Sequence, residues 1–195
     1  MNDDLLDEVP LRRVKITSLL VEKARRTSDF QSLKDSPTKD ETGRDISQVR
    51  EDALWGRAAE LCFEHAFLKE ELDDSEWERY EGEEYDYILY PDSILRTTVD
   101  VKSRVLAQQR ELDSVDPDET HPWYNQMLVR NNGGTEADVY VQAIVREEYI
   151  SLTGWASRDE VREADKVYWM ENNPHELGQD DLNPLTKSAL GGGAS

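Results

Sequence analysis

The clearest periodic pattern in the chain predicts a long helix over residues 45–72. Asp45 or Ser47 could cap its first turn. Positions on one face recur at spacings of three and four, which is the period of an amphipathic helix. These positions are Val49, Ala53, Gly56, Glu60, Phe63 and Phe67. Glu60 therefore lies in the middle of an otherwise apolar stripe.

Apolar residues at alternate positions predict strands in the next part of the chain. Two such runs in residues 85–104 flank the turn sequence Pro91-Asp92-Ser93, which predicts a β-hairpin. Three more strand-like runs follow, at residues 123–130, 137–145 and 148–157. The order of helix, hairpin and strands predicts an α+β fold with one mixed or antiparallel central sheet flanked by helices.

Other segments have weaker patterns. Residues 11–27 are predicted to form a helix, and the acidic residues 70–84 a solvated loop or helix end. The polar residues 106–122 are predicted to form a connection that is either irregular or partly helical. A short helix is predicted to follow Ser157, which can cap it together with Glu160 three residues later.

These segments divide the chain into three parts. Residues 1–44 are predicted to hold a basic helix and a polar linker, and residues 45–185 the main domain. Residues 186–195 are predicted to form a loose glycine-rich tail.

The composition is strongly acidic. Asp and Glu number 43 against 23 Lys and Arg, for a net charge of −20, and the cations divide into fifteen Arg and eight Lys. An acidic surface with scarce lysine is typical of proteins from salt-accumulating organisms; an ordinary acidic protein that avoids nucleic acid is the alternative. In molar salt the counterion-release contribution to DNA binding shrinks, so this charge does not exclude a DNA partner.

Two further features indicate a soluble protein of the cytoplasm. The single cysteine, Cys62, excludes an internal disulfide and fits a reducing compartment. No apolar run approaches the ~20 residues of a membrane span, so we expect no membrane partner.

One segment has the opposite charge to the rest of the chain. Residues 11–27 carry six cations against the single acid Glu22, a local charge of +5. This segment is either an arm that binds DNA phosphates or a simple helix docked on an acidic body.

The hairpin carries the candidate chemistry. A turn centred on Ser93 places Asp86 directly opposite Asp100, and Lys102 on the same face as Asp100. Opposite side chains on one face come within about 5 Å of each other. Two carboxylates at that distance repel and need a cation, and Mg²⁺ prefers such oxygen ligands.

The helix glutamate and the hairpin together resemble the PD-(D/E)XK nuclease superfamily, which has the restriction-endonuclease-like fold. The matching residues are Glu60, Asp86 and the Asp100-Val101-Lys102 element, and the match covers roughly residues 45–185. The resemblance implies Mg²⁺ held by Glu60, Asp86, Asp100 and the Val101 backbone carbonyl, with Mn²⁺ able to substitute. It also implies that Lys102 is the catalytic lysine.

The literal Pro-Asp pair of this chain, at Pro91 and Asp92, is the alternative source of the strand aspartate. We favour Asp86, because a residue at the hairpin tip cannot reach the face of Asp100. The helical Q-x-x-x-Y element of the recombination exonucleases in this superfamily has no match here, which favours an endonuclease.

The resemblance implies a Mg²⁺-dependent DNA nuclease that hydrolyses phosphodiester bonds in a halophilic archaeon or its virus. Targeting through a homodimer or a partner protein stays open. The alternatives are a catalytically inactive DNA-binding or assembly protein that keeps the fold, and an adaptor that binds proteins through its acidic face. We expect DNA contacts from Arg12, Arg13, Arg25, Arg26, Ser103 and Arg104.

Overall fold

The fold is mixed α+β, with two sheets and few helices. It is given by a computed structural model that describes residues 12–27, 46–80, 85–90, 95–105, 126–129, 137–168 and 174–186. The strands are β1 (Arg12–Lys15), β2 (Trp77–Arg79), β3 (Tyr87–Leu89), β4 (Thr97–Val105), β5 (Met127–Val129), β6 (Val139–Val145), β7 (Tyr149–Ser157) and β8 (His175–Leu177). The helices are α1 (Ser18–Thr27), α2 (Ile46–Phe63), α3 (Lys69–Glu71) and α4 (Arg158–Glu163).

Six of the described strands form one mixed sheet in the order β1-β7-β6-β4-β3-β2. Its neighbours pair antiparallel except for β4 and β6, which are parallel. The predicted α+β class and mixed sheet are therefore confirmed. The hairpin register is confirmed as well, because Tyr87 pairs with Val99 and thus sets Asp86 opposite Asp100.

Both faces of this sheet are covered. On one face, α1 and α2 pack against alternate residues of the central strands, among them Val99, Val101, Val141 and Ile150. Tyr140, Met127 and Leu177 belong to a second apolar cluster that covers the other face beside α4, β5 and β8. Because strand side chains alternate, β6 and β7 each present residues to both clusters.

The predicted long helix is confirmed, with one irregularity. α2 is followed without a break by a π-helical turn at Glu64–Leu68 and then by α3. Cys62 is buried among the core residues, and burial raises its thiol pKa to about 12. Cys62 is therefore a residue of the apolar core, where a buried thiol keeps its proton and is unreactive.

The prediction of a helix over residues 11–27 is wrong for its first part. Arg12–Lys15 form β1, the edge strand beside β7, and the helix begins only at Ser18. The signal for a strand was present: Val14 and Ile16 alternate with Arg13 and Lys15 and pack against the core. Thr17 then caps α1 by accepting the Leu20 amide at 3.2 Å.

Two other predictions need correction. The acidic stretch predicted as loop contains β2, whose Trp77 packs edge-on against Tyr87 at a centroid distance of 6.1 Å. The run 123–130 contributes β5, but β5 pairs with β8 in a separate two-stranded sheet and not with the central sheet. The β5–β8 pairing has no local sequence signal, because β8 is distant from β5 along the chain, whereas β2 and β3 are close in the chain.

Three predictions are confirmed in the second half of the chain. β6 and β7 lie within the runs predicted as strands. α4 begins after Ser157 with the predicted capping box, in which Ser157 and Glu160 bond each other's backbone amide. The hairpin tip with Asp92, the predicted linker 28–44, the connection 106–122 and the tail 187–195 lie outside the described residues.

The C-terminal segment lies close to β7. Asn183 and Trp155 exchange both backbone hydrogen bonds, at 3.0 and 2.8 Å. A side chain on Gly154 would come within 2.7 Å of the Leu182 Cβ, so glycine permits this close approach.

Within the described residues, no helix has the length and apolar character needed to cross a membrane.

Candidate active site

Asp86 lies at the point where β3 and β4 separate. β3 pairs with β4 only over Thr97–Val99, while β4 continues to Val105 along β6. The Asp86 amide donates to the Val99 carbonyl at 2.8 Å, and its carboxylate Oδ2 accepts the Val101 amide at 2.7 Å. The carboxylate therefore takes the place that a further β3 residue would have in the ladder, and it is held in one position.

The charge of Asp86 is poorly compensated. Burial raises the Asp86 pKa well above its usual value, and the charges of Glu60 and Asp100 raise it further. The hydrogen bond from Val101 and the charge of Lys102 act in the opposite direction but are outweighed. A carboxyl in such surroundings favours a proton or a cation.

Asp100 and Lys102 lie on the face of β4 away from α2. Their neighbours Val99 and Val101 pack into the cluster under α2, so the alternation of the strand directs the two charged side chains to the other face. The Lys102 ammonium forms an ion pair with Asp100 and lies 5.9 Å from the centroid of the Tyr140 ring. This pair is accessible, because the side chain of Lys102 is 32% exposed.

Glu60 approaches Asp86 from the helix side. Its backbone carbonyl accepts the Tyr87 hydroxyl at 2.9 Å, which positions this turn of α2 over β3. Its carboxylate forms an ion pair with Arg57 and lies 3.5 Å from the Arg79 guanidinium. Glu60 thus faces the sheet, as the apolar stripe predicted, and raises the pKa of both Asp86 and Tyr87.

The structure brings Glu60, Asp86, Asp100 and Lys102 to one end of the β3–β4 pair, where Glu60 and Asp100 act on the Asp86 carboxylate from two sides. They do not form a closed set of metal ligands. Among the residues that the structure describes, no three His, Cys, Asp or Glu side chains are grouped as a metal site. Each of the three carboxylates instead has a protein donor: Arg57 for Glu60, the Val101 amide for Asp86 and Lys102 for Asp100.

The Val101 carbonyl lies on the same edge of β4 as its amide, because both backbone groups of a strand residue point to one neighbour. The Val101 amide points to Asp86. The carbonyl is therefore directed to the side of β4 where the carboxylates lie.

The predicted DNA-binding residues have different surroundings. Arg12 is a structural residue: its guanidinium donates to the Ala66 carbonyl at 2.9 Å, pairs with Glu71 at 2.5 Å and lies 4.9 Å from the Phe67 ring centroid. Arg13 lies over the Tyr149 ring at 5.0 Å, beside the β1 edge of the sheet.

The C-terminal end of α1 lies closer to the site. It carries Arg25 and Arg26, and its last residue, Thr27, accepts a hydrogen bond from Arg57 at 2.8 Å. Arg57 in turn holds Glu60. The basic end of α1 is therefore connected to the carboxylate cluster through one side chain.

Ser103 is exposed on β4 and faces α2, since a side chain on Gly56 would lie 3.8 Å from its hydroxyl. Arg104 is half-buried on the next position. Both follow Lys102 on the part of β4 that extends beyond β3.

Sequence reasoning missed the arginines of the site. Arg57 precedes Glu60 by three positions, a spacing that brings side chains together on a helix and could have been recognised. Arg79 lies on β2, and only the pairing of β2 with β3 brings it to Glu60.

Comparisons with models of protein families, with curated proteins and with solved structures find no match for this chain. The resemblance to the PD-(D/E)XK superfamily therefore stays a prediction from the sequence.

Proposed function

We propose that this chain is a metal-dependent deoxyribonuclease with a restriction-endonuclease-like core. The observation that supports the proposal is the position of Asp86 between β3 and β4, where Glu60 and Asp100 raise its pKa from two sides and Lys102 lies beside Asp100. Carboxylates crowded around one point, with a lysine adjacent, suit the hydrolysis of a phosphodiester bond by a hard divalent cation.

The donor set fits Mg²⁺ by its chemistry. Three carboxylates and a backbone carbonyl are hard oxygen donors, and burial together with the charges of Glu60 and Asp100 raises the pKa of Asp86, which favours a proton or a cation there. Glu60, Asp86, Asp100 and the Val101 carbonyl would hold the ion. Mg²⁺ would compete with Arg57 for Glu60 and with Lys102 for Asp100, because each of these carboxylates now pairs with a cationic side chain.

Each residue has a separate task in this proposal. A bound Mg²⁺ lowers the pKa of an attacking water and stabilises the leaving oxygen. Asp86 supplies a ligand that two backbone contacts already hold in place, which reduces the cost of ordering the site. Lys102, once separated from Asp100, donates to a phosphate oxygen as negative charge develops there.

The DNA would reach this site along the basic end of α1. Arg25 and Arg26 lie at that end, and Arg57 connects it to Glu60. In a chain of net charge −20, such a local group of cations is where a phosphate backbone binds most favourably.

The test is a cleavage assay with linear, circular, single-stranded and branched DNA, in Mg²⁺ or Mn²⁺ and molar KCl. We expect the wild-type chain to cut circular DNA, which requires an endonuclease. Asp100→Asn should reduce the rate by at least about 100-fold, as expected for a residue that acts in the transition state. Asp159→Asn is the matched control, because Asp159 is an exposed carboxylate on α4. Cleavage by Asp100→Asn at the rate of the control would contradict the proposal.

A second candidate is a catalytically inactive DNA-binding or assembly protein that keeps the fold. The ion pairs Arg57–Glu60 and Lys102–Asp100 favour it, since they satisfy two of the carboxylates without a metal. Thermal unfolding separates the two candidates. Mg²⁺ should raise the melting temperature at constant ionic strength if the site binds it, and Asp86→Asn should abolish that rise. Equal stabilisation of the wild type and the variant would favour the inactive protein.

A further inference from the structure

Two tyrosines and an arginine form a stack beside the carboxylate cluster. The rings of Tyr80 and Tyr85 lie 4.1 Å apart between centroids, with 26° between their planes. The Arg96 guanidinium lies 5.5 Å from the Tyr85 ring centroid and donates a hydrogen bond to the Tyr85 hydroxyl. Both tyrosines are half-buried and Arg96 is exposed, so part of this stack reaches the surface.

The stack is fixed to the backbone of the candidate site. The Tyr80 amide donates to the Asp86 carbonyl at 2.9 Å, and Tyr85 immediately precedes Asp86 in the chain. Tyr85 also packs against the apolar cluster that contains Tyr140, over which Lys102 lies. A group bound on the stack would therefore lie next to the proposed site of hydrolysis.

The stack combines two flat apolar rings with one cation, because the exposed Arg96 lies over the Tyr85 ring. Aromatic rings together with guanidinium groups are the side chains on which unpaired nucleobases stack.

We propose that Tyr80, Tyr85 and Arg96 form a platform that stacks one unpaired nucleobase of a single-stranded nucleic acid. The choice of this ligand rests on the proposed nuclease function, and it adds a substrate class to it: DNA with an unpaired nucleotide next to the scissile phosphate. Because stacking releases few counterions, this contact keeps its strength in molar salt, where contacts to phosphates weaken.

The test measures binding of a labelled ten-nucleotide deoxythymidine strand by fluorescence anisotropy, in EDTA and about 2 M KCl. Tyr80→Ala should weaken binding roughly 5- to 150-fold, the range that loss of one stacked base gives. Tyr80→Phe should bind like the wild type, because it keeps the ring. In a set of strands that each carry one abasic site at a different position, one strand should bind the wild type more weakly than the intact strand does. The same strand should bind Tyr80→Ala as well as the intact strand does, because the variant does not stack the missing base.

Tyr168→Ala is the matched control. Tyr168 is another surface tyrosine, 78% exposed, but it follows α4 and is not part of the stack. This variant should bind the strand like the wild type. Equal affinity of Tyr80→Ala and Tyr168→Ala, with both variants folded by circular dichroism, would overturn the proposal.

The failure of this proposal is distinguishable from failure of the proposed nuclease, because binding is measured without a divalent cation. If Tyr80→Ala weakens binding but no Mn²⁺-dependent cleavage is found, the stacking platform is supported and the nuclease function is contradicted. If cleavage is found but Tyr80→Ala binds like the wild type, the nuclease function is supported and the platform is contradicted.

Discussion

The carboxylate of Asp86 accepts the backbone amide of Val101 at 2.7 Å, in the gap where β3 ends and β4 continues. One hydrogen bond thus positions a buried acid between Glu60 on the helix side and Asp100 on the other face of β4. The pKa of Asp86 is raised by burial first and by those two charges second. This relationship determines how the chain should respond to pH and to substitution.

Asp86→Asn should stabilise the metal-free protein at neutral pH. The amide keeps an oxygen for the Val101 bond and removes one charge from a repelling group. We expect the melting temperature to rise by about 2–4 °C, which corresponds to about 1 kcal/mol for a chain of this size.

The pH dependence provides the control for this prediction. The folded-state pKa of Asp86 lies above its unfolded value of about 3.9. The free energy of unfolding of the wild type therefore falls as the pH rises from the unfolded to the folded pKa, and it stays at this reduced value at higher pH. The advantage of Asp86→Asn should therefore grow over the same window. Asp159→Asn, at an exposed position, should show no such trend, and a pH-independent difference for Asp86→Asn would contradict the prediction.

Lys102→Ala should leave Mg²⁺ binding intact while reducing the cleavage rate by at least about 100-fold, because its proposed role is in the transition state. Mg²⁺ binding is measured by calorimetry and cleavage by single-turnover kinetics. Lys166→Ala, at an exposed lysine outside the site, is the control. Loss of Mg²⁺ binding in Lys102→Ala would assign the lysine to the architecture of the site instead. Asp92→Asn should have little effect on either measurement.

Arg12→Ala should destabilise the fold by about 1–3 kcal/mol, because a half-buried guanidinium that contacts the Ala66 carbonyl, Glu70, Glu71 and the Phe67 ring is lost. Chemical denaturation measures the change. Arg26→Ala, which removes an exposed ion pair with Glu22 on α1, should cost no more than about 0.5 kcal/mol.

We also expect that deleting residues 1–28 lowers the melting temperature, since the deletion removes an edge strand of the central sheet. An unchanged melting temperature after that deletion would argue against the observed β1–β7 pairing.

Glu160→Gln should destabilise the start of α4, by about 0.5–2 kcal/mol as for other lost caps. Burial acts to raise the Glu160 pKa, but hydrogen bonds from Asn183 and Ser157 outweigh it and hold the pKa below its usual value. This contribution is present above the unfolded pKa of about 4.3 and is lost as pH falls through the folded pKa. The loss of stability caused by Glu160→Gln should therefore become smaller as the pH falls. Glu163→Gln, on the same helix, should show a smaller and pH-independent effect if the cap is responsible.

Salt should stabilise the chain beyond ordinary screening. With 43 acidic residues against 23 basic ones, the surface repels itself in dilute buffer. Debye screening is nearly complete below about 1 M, so a further rise in melting temperature between about 1 and 3 M KCl indicates a surface adapted to salt. A melting temperature that stays constant or falls over this range would contradict the prediction of a halophilic origin.

Local patterns were sufficient for the elements whose partners lie nearby in the chain. The apolar stripe of α2 placed Glu60 toward the sheet, and the two alternating runs around the turn set Asp86 opposite Asp100. Ser157 and Glu160 were recognisable as a capping box because both groups lie within one turn. Each of these is a relationship between residues that the chain itself holds at a short distance.

Tertiary structure decided the rest, because long-range pairing has no local signal. Arg12–Lys15 became a strand only because the distant strand β7 offered an edge. The pairing of β2 with β3 brought Arg79 to Glu60, and the end of β3 made the gap that Asp86 fills. The sequence by itself determined which acids and bases could meet on the hairpin and the helix. The tertiary structure determined from which side these acids and bases reach Asp86. α2 packs on one face of the sheet and the second apolar cluster on the other, and a strand directs successive side chains to opposite faces.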